Sequence, residues 1–132
     1  MSALSNLAVI IPVGPKDEAW KELIPDLSSL PEVTEILLIG ASDEPTEFAN
    51  VVQLSGLQCD IKWISSSRGR ARQLNAGARA TTKKYLWFLH ADSRIEAEAI
   101  DALAASIRES EQTVYYFDLQ FLDDGPMVTR LS

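Results

Sequence analysis

Four short apolar segments, each followed by turn-forming residues, constrain the fold of this chain more than any other feature. They are rich in β-branched and aromatic residues, and between them apolar residues recur at helical spacing. Segments of this length and composition are typical of strands buried within a parallel sheet. The alternation therefore predicts an α/β fold in which a mostly parallel sheet is flanked by helices. The predicted strands cover residues 7–13, 35–39, 60–64 and 85–89.

The connecting helices are predicted from apolar residues three and four positions apart. The first follows Asp17, whose side chain can cap it, and Pro25 is expected to bend or divide it. A last strand is predicted from the alternation of polar and apolar residues after the fourth helix. The remaining helices are expected over residues 45–53, 69–81 and 96–110, and the last strand over residues 113–122.

Length and composition predict a single domain over residues 1–132. The 132 residues contain no internal repeat, no low-complexity segment and no Gly/Ser linker, and a chain of this size can bury a real core. The chain is acidic, since 19 Asp and Glu outnumber 12 Lys and Arg and give a formal net charge of −7. This balance argues against a general nucleic-acid or anionic-membrane binder, so any anion site must be local.

The sequence also favours a cytoplasmic location. Cys59 is the only cysteine, which excludes an intramolecular disulfide and fits a reducing compartment. No apolar run approaches the roughly 20 residues that span a bilayer, so we expect no transmembrane segment. The apolar N-terminus lacks the preceding basic residues of a signal peptide and is interpreted as a strand.

The segment after the third strand, residues 65–72, is the strongest candidate for an anion site, and we call it the cationic segment. Ligands of parallel α/β sheets bind beyond the carboxyl ends of the strands. Residues 61–91 contain no Asp or Glu, and half of all basic residues fall between positions 68 and 84. A cationic loop leading into a helix suits a phosphate or diphosphate, and the alternative is a solvated helix face. The six basic residues between positions 68 and 84 are Arg68, Arg70, Arg72, Arg79, Lys83 and Lys84.

A second candidate group, His90, Asp92 and Ser93, follows the fourth strand. The Asp92 carboxylate can hold a divalent cation that also ligates phosphates bound by the cationic segment. Alternatively, Asp92 and Ser93 cap a turn or the helix that follows. His90 is either a metal or phosphate ligand or a satisfied residue at the sheet edge. The P-loop, dinucleotide-binding, nucleophile-elbow and C-x-x-C motifs are all absent from the sequence.

Four segments stand out together: AVIIPV (8–13), EILLIGAS (35–42), RGRARQLNAGARA (68–80) and YLWFLHADSRI (85–95). They resemble the nucleotide-sugar-binding half of family 2 glycosyltransferases, which have the GT-A fold. The match is best to a bacterial subgroup with R-G-R-A-x-Q-x-N-x-G followed by F-L-H-A-D-[ST], and it runs from about residue 7 to residue 125. The resemblance implies a GT-A-like, Rossmann-like domain that is truncated relative to the full family fold.

The resemblance implies roles for individual residues. Residues 12–16, with Pro12 and Val13, would lie under the nucleotide base or ribose. The family's base-contacting Asp corresponds to Gly40, so Ser42 or Asp43 would substitute for it. The positions near the diphosphate would be Arg68, Gly69, Arg70 and Arg72, and Asn75 and Gly77 would pack the following helix against the sheet.

The family's metal-binding D-x-D corresponds to residues 90–92. Asp92 therefore inherits the metal role, with His90 in place of the first carboxylate. The implied cofactor is a divalent cation, Mn²⁺ or Mg²⁺, and Mn²⁺ tolerates an imidazole ligand better than Mg²⁺ does. The implied ligand is a nucleotide diphosphate sugar, UDP- or GDP-linked.

Family members of this kind are inverting transferases that move the sugar to an acceptor by direct displacement. No residue here matches the family's catalytic base, so we expect only the N-terminal, donor-binding part. The alternative is a non-catalytic nucleotide-binding or oligomerisation domain, and a nucleotidyltransferase is a second rival. We also expect a homo-oligomer that pairs through the strand at residues 113–122.

Overall fold

The computed structural model describes residues 3–109, 117–118 and 127–130, and its centre is a six-stranded sheet. The strand order is β3-β2-β1-β4-β6-β5. The four strands β1 to β4 are mutually parallel, and β6 runs antiparallel to both β4 and β5. The strands are β1 (Leu7–Val13), β2 (Glu35–Gly40), β3 (Asp60–Ser65), β4 (Tyr85–Phe88), β5 (Phe117–Asp118) and β6 (Met127–Arg130).

Four α-helices follow the strands in the predicted alternation, which confirms the α/β fold class. The first is short and carries Pro25 in its last turn. No helix among the described residues is long and apolar enough to cross a membrane. The helices are α1 (Trp20–Asp26), α2 (Phe48–Ser55), α3 (Arg70–Ala80) and α4 (Ala97–Glu109).

The end of the sheet differs from the sequence prediction. Of the strand predicted at residues 113–122, only Phe117–Asp118 is described, and the rest lies outside the described residues. The strand Met127–Arg130 was not predicted, because four residues are too few for a periodic pattern. It pairs with β4 and separates β4 from β5.

The two faces of the sheet have separate cores because strand side chains alternate between faces. Helices α1, α2 and α4 cover one face, where Val9 and Ile11 pack with Trp20 and the apolar residues of α4. Helix α3 covers the other face, where Ile10 packs with Leu74 and its neighbours. Both faces of β1 are therefore buried, as its continuous apolar sequence predicts.

Helix α3 contacts the sheet through Gln73 and Gly77, one helical turn apart. A Cβ at position 77 would lie 2.6 Å from Cγ2 of Ile10, so glycine is needed for this close approach. The expectation that Asn75 also packs against the sheet is wrong, because Asn75 is exposed. Two residues along a helix rotate the side chain by about 200°, so residue 75 faces away when residues 73 and 77 face the sheet.

Candidate functional site

A cleft of about 490 Å³ lies at the carboxyl ends of β1 and β4. The chain first adds β2 and β3 on one side of β1 and then returns to place β4 on the other side. This reversal is the topological switch point of the sheet, where the loops diverge and leave a crevice. The cleft is lined by Pro12, Gly14, Pro15, Asp17, Arg68, Gly69, Arg70, Gln73, His90, Ala91 and Asp92.

The cationic segment forms one wall of the cleft. It leaves the end of β3 beside β2, where the amide of Ser66 donates to the Gly40 carbonyl at 2.9 Å, and it enters α3 at Arg70. Gly69 precedes the helix with φ 133°, a conformation that favours glycine. Arg68 and Arg70 line the cleft on either side of Gly69.

The arginines of this wall have no carboxylate partners in the described part of the chain. The ion pairs there involve Lys21, Lys62 and Arg94 instead. The first amides of α3 also lack partners within the helix, as at every helix N-terminus. Guanidinium groups and helix amides that converge on one cleft can bind an oxyanion such as a phosphate.

Gln73 joins the cationic segment to the sheet. It is 4% exposed, and its Nε2 donates to the Val13 carbonyl at 3.0 Å and to the Ile39 carbonyl at 2.7 Å. Its Oε1 accepts a hydrogen bond from the Gly69 amide at 3.3 Å. One buried side chain thus connects the ends of β1 and β2 with Gly69, the residue that precedes α3.

The opposite wall is the turn that follows β4. The amide of Leu89 donates to the Ile10 carbonyl at 3.0 Å, and the amide of Ser93 closes the turn on the His90 carbonyl at 3.0 Å. His90 is half-buried and Asp92 is exposed, and both line the cleft. Helix α4 begins only at Ala97, so Asp92 lies in the turn and does not cap that helix.

A charged contact with α1 holds this turn in place. The Asp26 carboxylate accepts hydrogen bonds from the Arg94 Nε at 2.9 Å, the Arg94 Nη2 at 3.3 Å and the Ile95 amide at 2.9 Å. The hydrogen bond to Asp26 raises the pKa of Arg94, and the charge of Asp26 adds to the shift. The turn that carries His90 and Asp92 is therefore fixed at its far end.

Several residues predicted for the site do not line the cleft. The Val13 side chain is buried in the core, and only its carbonyl is turned toward Gln73. Arg72 is exposed on α3, and Ser42 and Asp43 are exposed in the loop after β2. The structure thus brings together Pro12, Arg68, Gly69, Arg70, His90 and Asp92, and leaves Val13, Ser42, Asp43 and Arg72 around them.

The loop after β2 has an aromatic contact of its own. A Cβ at position 40 would overlap the indole ring of Trp63, so Gly40 makes room for that ring. The Trp63 Nε1 and the Ser65 hydroxyl both donate to the Ser42 carbonyl, at 3.0 Å and 3.3 Å. An Asp at position 40 would therefore require Trp63 to move.

Sequence comparison identifies the family of this domain. The sequence model of the family described as Glycosyl transferase family 2 matches residues 17–129, most of the chain. The chain belongs to glycosyl transferase family 2. No curated protein shows significant sequence similarity to it.

Solved structures of other proteins share the fold of this family 2 domain. S. aureus TarS 1–349 matches with a TM-score of 0.63 at 18% identity, over 80% of this chain and 33% of that one. The same fragment has been solved with UDP-GlcNAc. The mannosyltransferase PcManGT from Pyrobaculum calidifontis, in complex with GDP-Man and Mn²⁺, matches with a TM-score of 0.62 at 19% identity, over 84% of this chain and 34% of that one. The family 2 domain thus spans about a third of the TarS 1–349 fragment and of PcManGT.

A further match shows that the fold extends beyond these transferases. The 4-diphosphocytidyl-2C-methyl-D-erythritol synthase from Anaerococcus prevotii DSM 20548 gives a TM-score of 0.67 at 11% identity. The match covers 97% of this chain and 72% of the synthase. At such low identities the likeness shows the fold alone, and the family assignment rests on the sequence model.

The cleft of the family 2 domain offers a partial set of ligands for a divalent cation. No three His, Cys, Asp or Glu side chains come together in the described ranges, so these residues do not form a complete metal site. His90 and Asp92 supply an imidazole and a carboxylate on one wall, and both groups are common ligands of divalent metals. The donor set fits a cation whose remaining ligands are phosphate oxygens and water.

Two residues of the cleft, Gln73 and Asp17, were not predicted for the site. Asp17 was expected as a cap, and its Oδ1 accepts a hydrogen bond from the Ala19 amide at 2.9 Å just before α1, while its side chain also lines the cleft. The available signal for Gln73 was its place in the motif R-G-R-A-x-Q-x-N-x-G, four residues before Gly77 and so on the same face of the helix. A polar residue on a buried helix face needs hydrogen-bond partners, which indicates a structural or site role.

Proposed function

We propose that this domain binds the nucleotide diphosphate sugar of a family 2 glycosyltransferase reaction in the cleft between β1 and β4. The observation that carries the proposal is the meeting of Arg68 and Arg70, without ion-pair partners in the described chain, with His90 and Asp92 at the switch point. Membership of glycosyl transferase family 2 and the UDP- and GDP-linked sugars bound by TarS and PcManGT support it.

The diphosphate would lie against the cationic segment. Arg68 and Arg70 supply positive charge, and the first amides of α3 supply further donors. His90 and Asp92 would hold a divalent cation, which supplies charge neutralisation for the diphosphate when bound. Pro12 and Gly14, at the end of β1, would form the floor under the nucleoside.

This arrangement suits displacement at the anomeric carbon of the sugar. In an inverting transfer, the acceptor oxygen forms a bond to that carbon while the bond to the diphosphate oxygen breaks. The leaving diphosphate gains negative charge, which Arg68 and Arg70 are positioned to stabilise. The acceptor proton goes to a general base, a role that we assign to no residue of this chain.

A thermal-shift panel tests the donor site. UDP, GDP, UDP-GlcNAc and GDP-Man are added with Mn²⁺, with Mg²⁺ or with chelator. A ligand that binds only the native state raises stability by RT ln(1 + [L]/Kd), about 2.7 kcal/mol at a hundredfold excess over Kd. We expect either the uridine ligands, UDP and UDP-GlcNAc, or the guanosine ligands, GDP and GDP-Man, to stabilise the protein. The stabilisation should be larger with a divalent cation than with chelator.

Variants locate the binding at the cleft. Arg70→Ala is expected to reduce the nucleotide-dependent shift, and Asp92→Asn is expected to abolish the part that depends on metal. Arg79→Ala, at the other end of α3, and Asp101→Asn, on α4, are matched controls whose side chains lie outside the cleft. Equal losses in the cleft variants and the controls would contradict the proposed site.

The thermal-shift panel together with a turnover assay distinguishes the two rival functions. A non-catalytic oligomerisation domain would show no shift with any nucleotide. A nucleotidyltransferase, which the fold likeness to the diphosphocytidyl synthase brings into consideration, would turn over a nucleoside triphosphate with a sugar phosphate. Transfer or hydrolysis of a nucleotide sugar would instead support the glycosyltransferase reaction.

A further inference from the structure

We propose that Gln73 is the positioning residue of the diphosphate site, because its amide fixes the cationic segment in its binding conformation. The inference rests on the proposed function and adds to it a residue that lies beneath the site. Gln73 lines the base of the cleft, and its amide faces the backbone.

The side-chain amide of Gln73 connects three backbone positions that are far from one another in sequence, at Val13, Ile39 and Gly69. Val13 ends β1 and Ile39 is the penultimate residue of β2, and the two carbonyls accept from the same Nε2. The Oε1 accepts from Gly69, which stands one residue before α3. A side-chain amide can do this because its NH₂ donates two hydrogen bonds while its oxygen accepts another.

The contact with Gly69 is reciprocal. The backbone N–H of Gln73 donates to the Gly69 carbonyl at 2.9 Å, and the backbone N–H of Gly69 donates to the side-chain Oε1 of Gln73. Both polar groups of the Gly69 backbone are thus occupied by one residue. Gly69 has φ 133°, where the backbone has no strong preference of its own, so these bonds decide its conformation.

The position of the arginines follows from the position of Gly69. Arg68 and Arg70 are its chain neighbours, and both line the cleft. Without the Gln73 amide, the Gly69 N–H would lose its hydrogen bond to the Gln73 Oε1, and the segment would sample other conformations. Binding would then include the cost of ordering the segment, which weakens affinity.

Isothermal titration with the nucleoside diphosphate that stabilises the protein best, in the presence of Mn²⁺, tests the inference. Gln73→Met keeps the length of the side chain and removes its amide. We expect it to weaken binding about tenfold, which corresponds to about 1.4 kcal/mol. Gln53→Met, the same change at an exposed position of α2, is the matched control and should bind like the unmodified chain.

A double-variant cycle separates positioning from a merely structural role. If Gln73 acts through the arginines, the loss in Gln73→Met/Arg70→Ala is smaller than the product of the two single losses. A structural role would lower the melting temperature but leave the affinity of the folded variant unchanged at 10 °C. Circular dichroism at that temperature establishes that each variant is folded before titration.

Each result has a defined meaning. Affinity of Gln73→Met within twofold of the unmodified chain, or single losses that multiply in the double variant, would overturn the inference while leaving the donor site intact. If the unmodified chain binds no nucleotide, the proposed function fails and the inference fails with it. If Gln73→Met does not fold, Gln73→Asn carries the comparison, because its amide is one methylene too short to reach all three partners.

Discussion

Gly77 determines how closely α3 lies on the sheet. The helix packs against β1 and β2, and at residue 77 no side chain separates its backbone from Ile10. Gln73, one turn earlier, reaches the carbonyls of both strands because of this short distance. A single hydrogen atom in place of a side chain therefore contributes to the shape of the cleft.

Gly77→Ala is expected to destabilise the protein. The added Cβ would meet Ile10 at 2.6 Å, and overpacking of this kind costs about 1–3 kcal/mol. Over most of that range the cost exceeds the gain in helix propensity of about 1 kcal/mol. Urea unfolding monitored by tryptophan fluorescence measures the change. Asn75→Ala, at an exposed position of the same helix, is the control and should be neutral or slightly stabilising. Equal stability of the two Ala variants would show that the helix can shift without cost.

At the scale of secondary-structure elements, the two walls of the cleft are held by different interactions. Gln73 ties the start of α3 to β1 and β2 through backbone carbonyls. Asp26 ties the turn after β4 to the end of α1 through Arg94 and the Ile95 amide. Each wall is therefore fixed to a different face of the sheet.

Asp26→Ala is expected to destabilise the turn after β4 by about 1–3 kcal/mol, because the partly buried Ile95 amide loses its acceptor. Arg94→Ala should cost less, since the Arg94 side chain is 61% exposed and its ion pair is screened by water. Chemical unfolding of the two variants gives the comparison. A larger loss in Arg94→Ala than in Asp26→Ala would contradict this assignment.

At the scale of the whole molecule, the sheet has one antiparallel end. β5 is the last strand in the order of the described sheet, and it pairs with β6 on one side only. A strand edge without a partner is a common site of association between chains. The alternating sequence around β5, at residues 113–122, was the basis for expecting an oligomer.

We therefore expect the protein to associate as a homodimer through this end of the sheet. Sedimentation velocity over a range of concentrations, up to tens of micromolar, measures the state directly. The dimer fraction should rise with concentration, as for a self-complementary interface. A single monomeric species at the highest concentration would refute the expected dimer.

The parallel strands, the helices and the residues that carry the chemistry could be predicted from the sequence, whereas the strand Met127–Arg130 could not. The bounds of β1 agree with the prediction, and those of β2 and β3 extend it by one residue, because continuous apolar runs between turn residues are local signals. The clustering of Arg68 and Arg70 and the pairing of His90 with Asp92 were likewise visible without coordinates.

The tertiary structure decided which of these residues meet. The switch between β1 and β4 places Arg70 and Asp92 on one cleft and leaves Asp43 and Arg72 outside it. The contacts of Gln73 join residues 60 and 34 positions apart in sequence. Strand order and such long-range hydrogen bonds depend on how distant segments pack together, and no periodicity within one segment records that packing.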